Sequence, residues 1–219
     1  ADGTWTNFQA IYPFVGTTSN SCSWNLVSTN LHRIGWSSAG VTYSGGITGN
    51  GSTGFGDTGW SNSVQNGGCY FAWCKGFKNS AAGKFFGSHN TSTSRAFWGG
   101  NFFSTDTSFA AFVNSANGGG NAANGITLRT NAYAACRISS SQFYQYDSYS
   151  AANLISDSSQ LPNNLNAYVL AYNVNGSAGD FWDKTIQVLA MGTNSTFLQA
   201  NYQTFYGATT NLNSALSRN

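Results

Sequence analysis

Clusters of glycine with asparagine or serine interrupt this 219-residue chain at short intervals and divide it into short apolar runs. They occupy residues 44–46, 49–51, 66–68, 117–121 and 175–177. The chain has 26 Gly but two Pro, and 16% of its residues are aromatic. Tight turns between β-branched and aromatic runs are typical of many strands joined by short connections. The sequence therefore predicts an all-β fold.

Several of the apolar runs alternate with a period of two, as strands with one wetter face do. Tyr168, Leu170 and Tyr172 fall on one face of such a run. We predict an antiparallel sandwich of two sheets. Its strands are expected at residues 8–14, 31–36, 69–77, 95–103, 125–130, 142–146, 167–172 and 185–191.

One short C-terminal helix is expected to close this fold. Residues 193–195 (TNS) offer an N-cap, and apolar side chains recur at helical spacing at Phe197, Leu198, Tyr202 and Phe205. No charged or proline-rich linker divides the chain. We therefore predict a single domain over residues 10–219, preceded by a lead-in or linker at residues 1–9.

Charge is scarce, and this excludes several classes of partner. Charged residues make up 7% of the chain and the net charge is +2, against about 25% charged residues in an ordinary domain. The nine Lys and Arg are scattered, whereas nucleic-acid binding requires clustered positive charge. No run of 18 apolar residues is present, so we expect no membrane insertion.

The chain contains no Glu, and its seven acidic residues are Asp. Glycoside hydrolysis usually needs two carboxyl groups at a defined separation. Asp180 and Asp183 are the closest pair in sequence, but they are expected in a turn, where Asp bonds the local backbone. His32 and His89 lack the partners of a hydrolytic triad. We therefore predict a protein that is not an enzyme.

Four cysteines, at positions 22, 69, 74 and 136, allow three pairings if all are bridged. Cys69 and Cys74 are five positions apart and would face opposite sides of a flat strand, which argues against a direct bridge between them. At least one disulfide and buried free thiols remain equally open alternatives.

Aromatic side chains beside polar groups provide the main binding hypothesis. A ligand pocket usually combines flat apolar surface with a few polar groups that fix orientation. Trp182 follows a turn, and Tyr146 and Tyr149 follow or end a predicted strand, so we expect these rings to be exposed. Together with Asp180 they are the candidate residues for ligand binding.

Segments near both ends of the chain resemble a known family. They include residues 10–18, 49–57 (GNGSTGFGD), 161–163 (LPN), 173–177 (NVNGS) and 216–218 (LSR). Together they resemble laminin-G-like, concanavalin A-like jelly-roll domains of phage virions and related bacterial surface proteins. The resemblance spans residues 10–218 but is weak over residues 60–130.

This resemblance implies a jelly roll of about a dozen or more antiparallel strands. It also implies a virion fibre, spike or decoration domain at the virion surface, partnered by itself or by other virion proteins, with cell-surface glycans as ligands. Calcium is the usual metal of such folds and is bound through oxygen atoms, which makes Asp180 and Asp183 candidate ligands. The alternative is a secreted, extracellular bacterial lectin or adhesin domain that binds carbohydrate.

Overall fold

A computed structural model describes residues 7–37, 39–76, 83–91, 97–102, 108–115, 123–124, 131–147 and 152–218. Within these ranges the chain forms two β-sheets and one α-helix, α1 (Ser195–Ala215), with a short 3-10 turn at Ser21–Ser23. The strands are numbered β1 to β17 in chain order.

Sheet A has eight strands in the described residues, and sheet B has nine. Sheet A contains β1 (Ala10–Tyr12), β3 (Val41–Thr42), β4 (Ile47–Gly49), β6 (Cys69–Lys75), β11 (Asn131–Arg137), β12 (Gln142–Tyr146), β13 (Ala152–Ser156) and β17 (Thr185–Gly192). Sheet B contains β2 (Gly35–Trp36), β5 (Gly56–Asp57), β7 (Gly83–His89), β8 (Phe97–Phe102), β9 (Ser108–Ser115), β10 (Ala123–Asn124), β14 (Tyr168–Val169), β15 (Tyr172–Val174) and β16 (Ser177–Gly179).

The strand order of sheet A is β13-β12-β11-β6-β17-β4-β3, and β1 also pairs with β17. Sheet B runs β10-β9-β8-β7-β14-β5-β2, with β15 and β16 attached through β7. The pairings are antiparallel except that between β15 and β7, which is parallel. The predicted fold class, an all-β antiparallel sandwich of two sheets with a C-terminal helix, is confirmed.

Strand β6 shows why the layers stack as they do, because residues 69–74 of this strand are all buried. Tyr70, Ala72 and Cys74 belong to the core between the two sheets. Cys69, Phe71 and Trp73 point the other way and belong to a second core. A strand that is apolar on both faces must lie in a middle layer, and sheet A is therefore covered on both sides.

Helix α1 is the outer layer over sheet A. The Asn194 side chain caps it by accepting a hydrogen bond from the Phe197 backbone N–H at 3.0 Å. Leu198 and Tyr202 are buried against the sheet, and the Phe205 ring lies 4.9 Å from that of Phe71. The helix has 21 residues, so it is longer than the short helix expected.

The strand predictions succeed where apolar and polar residues alternate. The prediction of 142–146 matches β12, and that of 185–191 falls one residue short of β17. The run 167–172 is divided into β14 and β15 because Leu170 adopts a φ of +65°. Residues 125–130 lie outside the described part of the chain.

The cysteines and the first residues add two details. Cys69 and Cys74 lie on opposite faces of β6, as predicted, and all four cysteines are buried free thiols. Phe8 and Gln9 fall both in the predicted lead-in at residues 1–9 and at the start of the predicted strand 8–14. They precede β1 but already contact the sandwich. Phe8 packs on Phe205 with ring centroids 5.0 Å apart, and the Gln9 backbone N–H donates to the Met191 carbonyl at 2.9 Å.

Candidate functional site

A cleft opens between the N-terminal half of α1 and two strands of sheet A, the edge strand β13 and its neighbour β12. We call it the tyrosine cleft; its volume is about 420 Å³. Its lining residues are Tyr144, Tyr146, Ala152, Gln199, Ala200, Tyr202, Gln203 and Thr204. None of these eight is charged, so the cleft combines aromatic rings with neutral hydrogen-bonding groups.

Strand β12 fixes the direction of the two tyrosines that it contributes. Phe143 points into the core between the sheets. The Gln145 side chain also points inward, accepting from the Ala111 backbone N–H at 3.1 Å and donating to the Phe109 carbonyl at 3.2 Å. Because successive side chains alternate, Tyr144 and Tyr146 must point outward to the helix.

The floor of the cleft is a stacked pair of rings. Tyr146 and Tyr202 have centroids 4.2 Å apart and an interplanar angle of 24°, and the Tyr144 ring lies 6.2 Å from that of Tyr146. Burial is the main cause that raises the pKa of both Tyr146 and Tyr202. Both phenols are therefore neutral at physiological pH.

Helix α1 supplies the opposite wall. Gln199 and Gln203 are exposed and four residues apart, so their amides share one face of the helix. The Tyr206 hydroxyl donates to Asn131 Oδ1 at 2.9 Å, and Asn131 Nδ2 donates to the Asp147 carbonyl at 2.6 Å. This chain of bonds ties the helix to the strands that bear the tyrosines.

Small side chains keep the cleft open. Ala152 lies opposite Tyr146 across the pair β12–β13, and Ala200 is exposed on the helix. The Tyr202 hydroxyl is buried and has no hydrogen-bond partner among the described residues. The floor thus carries a polar atom that no described residue pairs.

The ligand-binding residues predicted from sequence are dispersed. Tyr146 lines the cleft, although at 6% exposure it is more buried than expected. The expectation that Trp182 is exposed is wrong, because its side chain is 0% exposed and packs against Phe85 in the core between the sheets. Tyr149 lies outside the described residues.

The two candidate calcium ligands each face a lysine. Asp180, in a turn with a φ of +51°, accepts a salt bridge from Lys84 Nζ at 2.5 Å. Asp183 lies 3.5 Å from Lys184 Nζ. Among the described residues, no cluster of three or more His, Cys, Asp or Glu could hold a metal ion. Ammonium groups beside these carboxylates oppose cation binding, and neither carboxylate lines the tyrosine cleft.

Sequence reasoning missed Tyr144, Tyr202 and the two glutamines as site residues. The spacing of Gln199 and Gln203 signalled a shared helix face, and Tyr202 fell on the predicted apolar stripe. Whether Tyr202 and the two glutamines of α1 come close to β12 depends on how the helix crosses the sheet, and no local sequence pattern specifies that.

A second opening, an apolar groove of about 490 Å³, lies along the C-terminal half of α1. Its lining is mainly aliphatic and includes Ile11, Pro13, Val188, Leu212 and the exposed Leu26. It offers few polar groups to orient a small polar ligand.

Among the described residues, no helix is long and apolar enough to cross a bilayer.

Comparison with known proteins gives a fold but no family. No family model matches the chain, and no curated protein matches it. The sialidase of Trypanosoma rangeli in complex with sialic acid aligns with 90% of this chain at 9% identity, with a TM-score of 0.59. The same enzyme as its covalent intermediate with 2,3-difluorosialic acid aligns over 90% at 11% identity, with a TM-score of 0.57. The chain spans 33% of the length of these sialidase chains. At such identities the likeness shows a shared β-sandwich fold alone.

Proposed function

We propose that this protein is a non-catalytic carbohydrate-binding domain and that the tyrosine cleft holds a neutral saccharide. The observation that carries the proposal is the lining of the cleft, which brings three tyrosine rings together with two exposed amides. Pyranose rings present flat C–H faces that pack on aromatic rings, while their hydroxyls bond amide groups. Concave sites of this composition are the general pattern for small ligands.

The absence of charge in the lining sets the preferred sugar class. An ionised carboxylate that leaves water needs a cation or several donors to offset its lost hydration. None of the eight lining residues supplies a cation. The Asp147 carboxylate lies close enough to Tyr202 to help raise the pKa of that phenol. An acidic sugar would therefore be repelled, although the similar solved structures include a sialidase bound to sialic acid.

The same lining supports binding without turnover. Glycoside hydrolysis usually needs a carboxyl pair beside the scissile bond, and no carboxylate is among the residues that line the cleft. We propose that the domain retains its saccharide unchanged.

We expect the affinity for a neutral oligosaccharide to fall about tenfold in Tyr144→Ala, because the variant removes one stacking surface worth about 1.4 kcal/mol. Gln203→Ala is expected to weaken binding about three- to tenfold through a lost hydrogen bond. A glycan array selects the best neutral ligand, and calorimetry measures its affinity for each variant. The α2,3-sialylated derivative of that neutral ligand is expected to bind the wild-type protein more weakly than the neutral ligand itself.

Two further variants distinguish binding in the cleft from binding elsewhere on the helix. Ala200→Leu fills the cleft and leaves every tyrosine in place, so it should also weaken binding. Asn211→Ala removes an exposed amide from the same helix outside the cleft, and its affinity should match the wild type. Unchanged affinity in both Tyr144→Ala and Ala200→Leu would contradict the proposed site.

We propose a virion or cell surface as the setting, with self-association through neutral faces. Two observations support it. The chain has few charges to bury in a contact between copies, and the apolar groove carries exposed apolar side chains such as Leu26. Light scattering is expected to show an oligomer that dissociates in Leu26→Asp. A monomer at all concentrations would favour a secreted lectin or adhesin domain instead.

A further inference from the structure

Cys69 and Cys136 lie directly opposite each other on the paired strands β6 and β11. The next residue pair along this ladder is bonded, since the Arg137 backbone N–H donates to the Gly68 carbonyl at 3.0 Å. Bonded and non-bonded pairs alternate in an antiparallel ladder. Cys69 and Cys136 therefore occupy a non-hydrogen-bonded pair, in which the Cα atoms are about 4.5 Å apart and the side chains are closest.

Both side chains point to the same side of sheet A. They belong to the core beneath α1, together with Phe71 and Ala134, the next residues of each strand on that face. Burial is the main cause that raises the pKa of Cys136, and the Cys69 thiol adds to it. A Cα separation of about 4.4–6.8 Å is what a disulfide requires, so the backbone is already placed for a bond.

The other two cysteines have no such partner. Cys74 faces the core between the sheets, where its strand neighbours are Asn131 and Ile186. Cys22 lies in the 3-10 turn Ser21–Ser23, outside both sheets. The register therefore favours a single bond between Cys69 and Cys136 and leaves the other two cysteines free, which differs from the three arrangements in which all four are bridged.

We propose that Cys69 and Cys136 form a cross-strand disulfide when the protein folds in the presence of a small disulfide oxidant. One protein thiolate attacks the oxidant, forming a mixed disulfide and releasing one reduced thiol. The second protein thiolate then attacks the mixed disulfide, closes the S–S bond and releases the second reduced thiol. The two protein thiols lose two electrons and two protons, which the two released thiols carry.

The bond must form before the helix closes over the sheet. Both thiols are fully buried in the folded protein. Burial raises the pKa of Cys69 to about 12 and that of Cys136 above its ordinary value. Because the thiolate is the reactive form, exchange in the folded state is slow, and a bond made during folding persists.

This bond would lie beneath the tyrosine cleft. Cys136 is opposite Tyr144 on β12, and its thiol contributes to the raised pKa of both Tyr146 and Tyr202. The disulfide would lock β6 to β11 under the cleft floor. The proposed bond does not depend on the proposed ligand, because it is inferred from the strand register and from the shared face of the two cysteines.

Peptide mapping after controlled refolding tests the proposal. The reduced protein is refolded in a mixture of reduced and oxidised glutathione, free thiols are alkylated rapidly with excess N-ethylmaleimide in denaturant near neutral pH, and the protein is digested without reductant. We expect a linked peptide pair that contains Cys69 and Cys136, with Cys22 and Cys74 alkylated. Full alkylation of all four cysteines, or a different dominant pair, would overturn the proposal.

Single-cysteine variants sharpen this result. Cys74→Ala should retain the linked pair, whereas Cys69→Ala should leave Cys136 alkylated without a new bridge. A bridge from Cys136 to Cys74 or Cys22 in the Cys69→Ala variant would show that proximity on the ladder does not select the partner, and would contradict the proposal. The wild-type map decides the question even if Cys69→Ala does not fold.

Discussion

Replacing Arg137 by methionine is expected to lower the free energy of unfolding by about 3–5 kcal/mol. The Arg137 guanidinium is fully buried and donates to Asp157 Oδ2 at 2.6 Å. It also donates to the carbonyls of Asp157 at 2.9 Å and of Val113. Val113 belongs to sheet B, while Asp157 follows strand β13 of sheet A. This side chain therefore links the two sheets, and its loss leaves a carboxylate and two carbonyls without their donor.

Urea denaturation followed by tryptophan fluorescence measures this change. Arg33→Met is the matched control, since Arg33 is exposed and stacks on Trp24 with its guanidinium carbon 4.1 Å from the ring centroid. We expect the control substitution to lower the free energy of unfolding by about 1 kcal/mol or less. Equal losses in the two variants would show that the buried arginine does not link the sheets as described.

Truncating Trp182 to alanine is expected to cost about 3–5 kcal/mol of unfolding free energy. The indole is fully buried in the core between the sheets, with its ring 6.2 Å from that of Phe85. Surrounding strands can collapse only in part into the space that its removal leaves, so the cavity adds to the lost burial. Thermal and urea denaturation measure the effect.

Trp24→Ala is the control for tryptophan truncation, because Trp24 is 37% exposed. It should cost about 1 kcal/mol. The Trp182 variant, where it remains folded, should bind the neutral saccharide with unchanged affinity. If Trp182→Ala had wild-type stability but no longer bound the saccharide, the result would indicate that Trp182 belongs to the ligand site after all.

The alternation of apolar and polar residues predicted a strand correctly where burial differs between the two faces of that strand. Strand β12 was found at its correct bounds because Phe143 and Gln145 alternate with outward tyrosines. Strand β11 was missed because both of its faces are buried and its small alanines give no contrast in hydropathy. Strand β7 was also missed, since its glycines and polar residues have low strand propensity.

The candidate site was less predictable because it is assembled from distant segments. Tyr146 could be found from its strand, but its stacking partner Tyr202 comes from a helix 56 positions later in the numbering. Trp182 was misplaced because a residue that follows a turn can still point inward. The Trp182 backbone N–H donates to the Leu170 carbonyl at 2.8 Å, which holds this segment against the core.

NMR tests most directly the claim that the tyrosine cleft binds a neutral saccharide. The ring signals of ¹³C-labelled tyrosine are monitored while neutral oligosaccharides are added. Tyr→Phe variants assign the signals. We expect saturable shifts at Tyr144, Tyr146 and Tyr202, with Tyr43 and Tyr168 unchanged as reporters outside the cleft. Saccharide binding that leaves the three cleft tyrosines unmoved, or shifts that appear with sialyllactose but not with lactose, would contradict it.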